Sequence, residues 1–156
     1  MISYKNCKGF SKIDNIKTVY EWKKELGRGC FGVVFEAYHI KARTPVAIKV
    51  VNKSKVSAAP IYEKLMRQEL EVLEDLDHPN IVRVIELLES ADAYYIVMEL
   101  MPDGNLLDMM NKISKQRISF TERDAANLVN QVVLAISYMH ASSKVHRDLK
   151  LENLMV

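Results

Sequence analysis

The chain has 156 residues, of which 49% are hydrophobic and 27% are charged, and its formal net charge is +2. These values are typical of one globular domain and exclude a disordered or fibrous chain. The near balance of charge argues against a nucleic-acid-binding protein. Two cysteines are too few for a disulfide framework, and no apolar run has the length of a membrane span. We therefore expect a protein of a reducing compartment, cytoplasmic or nuclear, with no membrane segment.

The first hundred residues are predicted to form five strands and one helix. Residues 1–18 are polar and are predicted to be an extension ahead of the fold, packed in part through Phe10, Ile13 and Ile16. Helical spacing of apolar residues predicts a helix over 57–76 that ends before a His-Pro-Asn turn. Strands are predicted where β-branched and aromatic residues are concentrated, at 20–26, 33–38, 45–51, 81–88 and 94–100.

The last third of the chain is predicted to be mainly helical. Helices are predicted at 105–113 and 121–140, and Thr121 followed by Asp124 resembles a capping box at the start of the second one. This long helix is apolar over a wide arc, which predicts that it is buried on more than one side in its natural setting and is prone to association when exposed.

A glycine pattern lies between the first two predicted strands. Gly27, Gly29 and Gly32 have the G-x-G-x-x-G spacing, and Val34 follows two positions later. Alone, this pattern arises by chance and fits a glycine-rich hairpin turn. A dinucleotide-binding fold would require a helix after the last glycine, whereas a strand is predicted here. Such a hairpin would offer backbone N–H groups to phosphates without side chains in the way.

Lys49 lies in the middle of the apolar strand predicted at 45–51. An ammonium group with apolar neighbours on both faces needs an anionic partner. A phosphate is one candidate and a helix carboxylate is another. Glu69 is the predicted helix partner, because the other glutamates of that helix lie off its apolar stripe or near its ends.

A dense polar segment, residues 146–153, lies near the end of the sequence. Asp148 could orient a hydroxyl group and accept its proton. Lys150 could neutralise charge on a phosphoryl group, and Asn153 carries a hard oxygen that suits Mg²⁺. Leu149 and Leu151 are predicted to hold the segment against a core while its polar groups face a cleft. The alternative is an ordinary polar loop capped by leucines. Five specified residues at this spacing arise by chance in far less than ~0.1% of such chains.

Together these motifs resemble the first part of a eukaryotic protein kinase domain. The resemblance is to serine/threonine kinases, similar to the calcium/calmodulin-dependent or calcium-dependent protein kinase group. It implies an α+β fold, in which residues 19–100 form an N-lobe with a five-stranded antiparallel sheet and the αC helix. Residues 101–156 would hold the first helices and the catalytic loop of the C-lobe. The matching motifs are Gly27-x-Gly29-x-x-Gly32-x-Val34, Val46-Ala47-Ile48-Lys49 and His146-Arg147-Asp148-Leu149-Lys150-x-x-Asn153.

The resemblance implies transfer of the ATP γ-phosphoryl group to serine or threonine hydroxyls of protein substrates, with Mg²⁺ as cofactor. Asp148 would be the catalytic base, Lys150 would contact the γ-phosphate, and Asn153 would bind Mg²⁺. Lys49 would bind the α- and β-phosphates and pair with Glu69. The remaining nucleotide contacts would be Leu26, Gly27, Gly29, Gly32, Val34, Ala47, the gatekeeper Met98, the hinge residues Glu99 and Met101, and Leu154 or Met155 beneath the base.

Two features depart from the family pattern. Asn105 follows Gly104 where members that prefer basic substrates often have glutamate, which argues against a preference for arginine upstream of the phosphorylated residue. The family's Asp-Phe-Gly is not among the 156 residues, so the domain is predicted to be truncated and inactive alone. A regulatory partner or a C-terminal regulatory domain would lie outside this chain. The alternative is a non-catalytic, kinase-derived nucleotide-binding or interaction module.

Overall fold

The computed structural model describes residues 9–29, 32–57, 60–116 and 119–156, without the side chains of residues 57, 60, 62, 69 and 71. The chain divides into two compact units. The first runs up to Asp75 and includes Arg83–Leu100, and the second consists of Leu76–Val82 and Met101–Val156. In chain order the elements are β1 (Ser11–Lys12), β2 (Tyr20–Arg28), β3 (Val33–His39), β4 (Thr44–Asn52), α1 (Lys53–Ser57), α2 (Pro60–Glu74), β5 (Val84–Glu89), β6 (Ala93–Glu99), α3 (Leu106–Gln116) and α4 (Glu122–Ala141).

The first unit is built on a six-stranded sheet with the order β1-β5-β6-β4-β3-β2. The contacts among β2 to β6 are all antiparallel, whereas β1 runs parallel to β5. The predicted α+β fold is confirmed, but the sheet has one more strand than the five predicted. Ser11 and Lys12 carry no β-branched or aromatic signal, so their pairing with Leu88 and Glu89 depends on backbone hydrogen bonds and on a 2.9 Å ion pair from Lys12 to Glu89.

Both faces of this sheet are covered by apolar side chains. β4 contributes to both, because Ile48 is packed on one face and Val51 on the other. Because an apolar cluster packs on each side of β4, its sequence is a nearly continuous apolar run rather than an alternating one. The first cluster consists of Ile16, Tyr20, Ala37, Val46, Ile48, Leu88 and Val97. The second consists of Val51, Val56, Leu70, Leu87, Tyr94 and Ile96, with Leu70 supplied by α2.

Residues ahead of β2 pack onto this unit through Phe10. Its ring centroid lies 4.8 Å from that of Tyr94, and the Arg67 guanidinium lies 5.3 Å and 5.2 Å from the Phe10 and Tyr94 centroids. The Gly9 N–H donates to a carboxylate oxygen of Glu74 at 3.1 Å. Arg67 and Glu74 both belong to α2, so the segment ahead of β2 is tied directly to that helix. Each cation–π contact of this kind contributes about 0.5–1 kcal/mol at exposed sites.

The helices follow the predicted pattern with shifted ends. The helix predicted at 57–76 corresponds to α2, Pro60–Glu74, and the short helix α1, Lys53–Ser57, precedes it without having been predicted. Pro60 begins α2, as suits a residue without an N–H in the first turn. The capping box of α4 is present, because the Thr121 hydroxyl accepts from the Asp124 N–H at 3.2 Å and the Asp124 carboxylate accepts from the Thr121 N–H at 2.9 Å. These hydrogen bonds with Thr121 lower the pKa of Asp124.

The long helix α4 presents apolar side chains to solvent. Val129, Val133 and Leu134 are 60%, 52% and 50% exposed, and Met139 is the buried residue of this helix. The predicted wide apolar arc is therefore present and is covered only in part. Across the described part of the chain, no helix combines the length and the apolar character that a membrane crossing requires.

Candidate active site

Four of the predicted nucleotide-binding residues share one face of the sheet. Val34 on β3 is opposite Lys49 on β4, and Ala47 on β4 is opposite Met98 on β6. Residues directly opposite each other share a face, and so do residues two apart on one strand. This face continues to Val51, which packs with the α2 residue Leu70. The register therefore brings Val34, Ala47, Lys49 and Met98 together, as a nucleotide-binding surface requires.

Lys49 is half-buried between its strand neighbours Val34 and Ile96. Among the residues that the structure describes, no carboxylate forms an ion pair with its ammonium group. Glu69 lies in α2, but its side chain is outside the described part, so the Lys49–Glu69 pair stays a prediction. A half-buried cation in this position is suited to an external anion, because burial weakens its interaction with water.

The glycine-rich turn connects β2 and β3. The Gly29 N–H donates to the Gly32 carbonyl at 2.9 Å. A Cβ atom added at Gly27 or Gly29 would have no neighbour within 4 Å, whereas one added at Gly32 would lie 2.1 Å from the Val50 carbonyl oxygen. Gly27 and Gly29 thus leave open space for a ligand, and Gly32 is required by the close approach of two backbones. Cys30 and Phe31 are outside the described residues.

We expect Gly32→Ala to lower the free energy of unfolding by about 1–3 kcal/mol, because the new methyl group would force β3 and β4 apart. Gly29→Ala is the matched control and should change that free energy by less than about 0.5 kcal/mol. Urea unfolding of the two variants measures the difference. Equal stability of both variants would contradict the close contact between Gly32 and Val50.

Of the other predicted base contacts, Leu26 and Glu99 belong to the first unit and Met101 belongs to the second. Leu26 on β2 is 44% exposed, so its side chain is available to a ligand. The Glu99 N–H donates to the Arg83 carbonyl at 3.1 Å. Because this N–H is already used, the carbonyl oxygen is the backbone group of Glu99 that we expect to contact the base. Met101 belongs to the second unit, where its carbonyl accepts from the Gly104 N–H at 3.4 Å. Because this carbonyl is already used, the N–H is the backbone group of Met101 that we expect to contact the base.

The second unit brings Asp148, Lys150 and Asn153 together. Lys150 Nζ lies 2.9 Å from Asp148 Oδ2, and Asn153 Nδ2 donates to the same oxygen at 3.0 Å. Asn153 Nδ2 also donates to the Asp148 carbonyl at 2.8 Å, and the Asp148 N–H donates to His146 Nδ1 at 3.3 Å. The hydrogen bond from Lys150, followed by that from Asn153, lowers the pKa of Asp148. An exposed, ionised carboxylate with a fixed orientation results.

Backbone hydrogen bonds join the residues that follow the 146–153 segment to residues 104 and 106, at the start of α3. The Leu106 N–H donates to the Leu154 carbonyl at 2.7 Å, and the Val156 N–H donates to the Gly104 carbonyl at 2.9 Å. The prediction that Leu149 and Leu151 hold the loop against the core is wrong, because these side chains are 49% and 43% exposed. Backbone hydrogen bonds, rather than apolar contacts of Leu149 and Leu151, thus fix the position of this segment.

Arg147 has a φ of 65° in the left-handed region, which non-glycine residues seldom adopt. It directly precedes Asp148. Strained residues of this kind cost of order 1–3 kcal/mol and persist where surrounding contacts determine the backbone. The hydrogen bonds on either side of Arg147, from the Asp148 N–H to His146 and from Asn153 to Asp148, supply such contacts.

Asn105, the departure from the family pattern, has a structural role in this unit. Its Oδ1 accepts from the Asp108 N–H at 2.8 Å, and its Nδ2 donates to the Asp108 carboxylate at 2.9 Å, so it caps the start of α3. Asn105 also forms an antiparallel bridge with Met155. The side chain is therefore committed to the helix start rather than free to contact a basic substrate residue.

Asn153 offers one oxygen atom that suits a magnesium ion. The Nδ2 group of Asn153 is committed to Asp148, which leaves Oδ1 as a hard oxygen ligand. Within the described ranges, no group of three or more histidine, cysteine, aspartate or glutamate residues could hold a metal ion. Mg²⁺ is commonly bound by one or two protein oxygens together with phosphates and water, so a single ligand of this kind is compatible with a metal–nucleotide complex.

Comparison with known proteins decides the family. The profile of the protein kinase domain matches residues 20–156. The chain belongs to the protein kinase domain family. Myosin light chain kinase A of Dictyostelium discoideum is 40% identical to this kinase domain over 141 residues, which are 90% of the chain and 46% of that protein. The human hormonally up-regulated neu tumor-associated kinase is 38% identical over 134 residues, 85% of the chain and 18% of that protein. The kinase domain thus spans less than half the length of either relative.

Sequence reasoning missed one polar cluster of this kinase domain. Glu63 accepts hydrogen bonds from the Tyr94 hydroxyl at 2.7 Å and from Arg67 at 2.9 Å, and these bonds, led by that from Tyr94, lower the pKa of Glu63. The spacing of Glu63 and Arg67, four residues apart on a helix, was the available signal. The contact with Phe10 had no comparable signal, because it joins residues far apart in the sequence.

Proposed function

We propose that this kinase domain binds ATP with Mg²⁺ and transfers the γ-phosphoryl group to serine or threonine hydroxyls of protein substrates. The observation that carries the proposal is the placement of Lys150 Nζ and Asn153 Nδ2 within 2.9 Å and 3.0 Å of the Asp148 carboxylate. A proton acceptor, a cation and a metal ligand are thereby held in one short loop. Phosphoryl transfer requires these three functions together.

In the proposed mechanism Asp148 orients the substrate hydroxyl and accepts its proton. The hydrogen bonds from Lys150 and Asn153 keep the pKa of Asp148 below its ordinary value, so the carboxylate is ionised at neutral pH. Lys150 can stabilise negative charge on the transferred group, because its ammonium already lies beside the base. Bound Mg²⁺ would neutralise phosphate charge, and Asn153 Oδ1 would supply one of its ligands.

The first unit supplies the proposed nucleotide contacts. Val34, Ala47 and Met98 offer an apolar surface to the flat base, and Lys49 on the same face offers its ammonium to the phosphates. The open space above Gly27 and Gly29 allows phosphates to approach the backbone N–H groups. Leu26 and Glu99 complete the proposed contacts of this unit to adenine.

Substrate class and setting are further parts of the proposal. Lys150 two residues after Asp148 resembles serine/threonine kinases. Two similar proteins of Dictyostelium discoideum are named as a myosin light chain kinase and a probable myosin light chain kinase. Both features support a protein substrate phosphorylated on serine or threonine. We place the protein in the cytoplasm or nucleus, under control of a regulatory partner or domain outside these residues.

A second candidate is nucleotide binding without phosphoryl transfer. The family uses the aspartate of an Asp-Phe-Gly motif to hold magnesium, and that motif is not among these 156 residues. On this ground we propose that these residues alone bind Mg-ATP but do not sustain transfer. Measurable transfer by the 156-residue chain, abolished in an Asp148→Asn variant, would contradict this part of the proposal.

Both candidate functions require the chain to bind Mg-ATP, so a binding measurement tests the two together. We expect Lys49→Met to weaken Mg-ATP binding by about tenfold to a hundredfold, as for loss of a charge-assisted hydrogen bond. Lys41→Met is the matched control, because Lys41 is exposed in the turn between β3 and β4. Isothermal titration calorimetry measures both affinities. Absence of binding to the unmodified chain, or equal affinities of the two variants, would overturn the assignment of the nucleotide face.

A further inference from the structure

The segment ahead of β2 reaches the face of the sheet that carries Lys49. Phe10 packs against the second apolar cluster, which includes Ile96 of β6 and Leu70 of α2. Ile96 is directly opposite Lys49, and residues directly opposite each other share a face. Phe10 is therefore placed on the face of the sheet that is proposed to bind ATP, together with the helix that packs there.

Contacts from this segment follow one face of α2. The Phe10 ring centroid lies 5.3 Å from the Arg67 guanidinium, and the Gly9 N–H donates to the Glu74 carboxylate at 3.1 Å. Leu70 lies between these two positions of the helix and is buried in the cluster that Phe10 joins. Positions 67, 70 and 74 have the i, i+3, i+7 spacing of a single helix face. The segment thus contacts α2 along the side that faces the sheet.

Within the described part of the chain, α2 buries little apolar surface of its own. Leu70 is the buried residue among its described side chains, whereas Ile61 and Leu65 are 58% and 46% exposed. A further link to the sheet is polar, because the Tyr94 hydroxyl donates to Glu63 at 2.7 Å. An element with few buried apolar contacts is displaced at a low cost in free energy. The contacts from the segment ahead of β2 therefore have a large share in fixing the position of this helix.

The position of α2 bears on the nucleotide because Glu69 immediately precedes Leu70. The two residues share helical backbone, so a displacement of Leu70 displaces Glu69 as well. We propose that Phe10 is a positioning residue for Mg-ATP binding, which holds α2 where Glu69 can pair with Lys49. In this role Phe10 acts through α2 rather than by touching the nucleotide. The inference rests on the function proposed for Lys49 and Glu69, and it adds to that function a residue ahead of β2.

Calorimetric titration of the 156-residue chain with Mg-ATP tests this role. Phe10→Ala removes the ring contacts with Arg67 and Tyr94, and should weaken Mg-ATP binding by about three- to tenfold. Ile13→Ala is the matched control, because Ile13 belongs to the same segment but packs against the first cluster, on the other face of the sheet. It should change the affinity by less than about twofold, even where it lowers the free energy of unfolding. Circular dichroism at the titration temperature checks that both variants are folded.

A second background shows whether the effect of Phe10 passes through Glu69. In a Glu69→Gln chain the proposed pairing with Lys49 is already weakened, so adding Phe10→Ala should lower the affinity by less than about twofold further. Phe10→Leu keeps apolar bulk without the ring and should weaken binding by about two- to fivefold. This milder variant replaces Phe10→Ala in both backgrounds if Phe10→Ala does not fold.

The possible failures of this inference differ from those of the proposed function. Unchanged affinity in the folded Phe10 variants, an equal loss in Ile13→Ala, or an undiminished effect in the Glu69→Gln chain would each overturn the inference and leave the proposed function intact. Absence of Mg-ATP binding to the unmodified chain would overturn the proposed function, and this inference with it.

Discussion

Replacing Asp148 by asparagine is expected to lower the rate of phosphoryl transfer by about 10²–10⁴-fold in the kinase that carries this domain, as for removal of a general base. The asparagine side chain has nearly the same shape but cannot accept the hydroxyl proton. It also loses the ionic part of the 2.9 Å contact with Lys150. The affinity for Mg-ATP should change far less than the rate, because Asp148 itself is not among the proposed nucleotide or metal contacts.

The measurement is the steady-state rate with a protein substrate, alongside calorimetric binding of Mg-ATP. Asp103→Asn is the matched control, since Asp103 is an exposed aspartate of the same unit. Because hydrogen bonds lower the pKa of Asp148, the rate should not fall through its protonation until the pH is below the ordinary pKa of an aspartate, 3.8. A full rate in Asp148→Asn would remove Asp148 from the catalytic role.

Ile48→Ala is expected to lower the free energy of unfolding by about 2–5 kcal/mol, as for other large-to-small changes in a packed core. Ile48 is 0% exposed and lies at the centre of β4, opposite Phe35 on one side and Val97 on the other. Its side chain packs in a cluster with Ile16, Tyr20 and Val97, which can close the space only in part. The loss therefore includes a cavity in addition to the lost burial of the side chain.

Chemical denaturation followed by circular dichroism measures this effect. Ile40→Ala makes the same chemical change in the turn after β3, where Ile40 is 45% exposed, and should cost less than about 0.5 kcal/mol. A similar loss in both variants would show that the packing around Ile48 is looser than its burial indicates.

The elements that the sequence predicts well are those determined by neighbouring residues. The capping box of α4 depends on Thr121 and Asp124, three positions apart, and it forms as predicted. Asp148, Lys150 and Asn153 lie within six positions, and the fold brings them into contact. In both cases the chain has little freedom to separate the residues, so spacing is a good guide to geometry.

Features that depend on distant partners were not predictable in this way. Ser11–Lys12 forms a strand because its backbone pairs with Leu88 and Glu89. Nothing in the two residues themselves predicts this pairing. The proximity of Gly32 to the Val50 carbonyl likewise depends on the register of β3 and β4. The exposure of Leu149 and Leu151 shows the same limit, because apolar character alone does not identify what a side chain will contact.

Phe10, packed against Arg67 and Tyr94, shows that the folded unit begins ahead of the residues that match the kinase family. The kinase profile begins at residue 20, yet β1 and the Gly9–Glu74 hydrogen bond lie before it. A chain that started at residue 20 would lose an edge strand and uncover apolar surface on both faces of the sheet. A stably folded form of this kinase domain should therefore begin no later than Gly9.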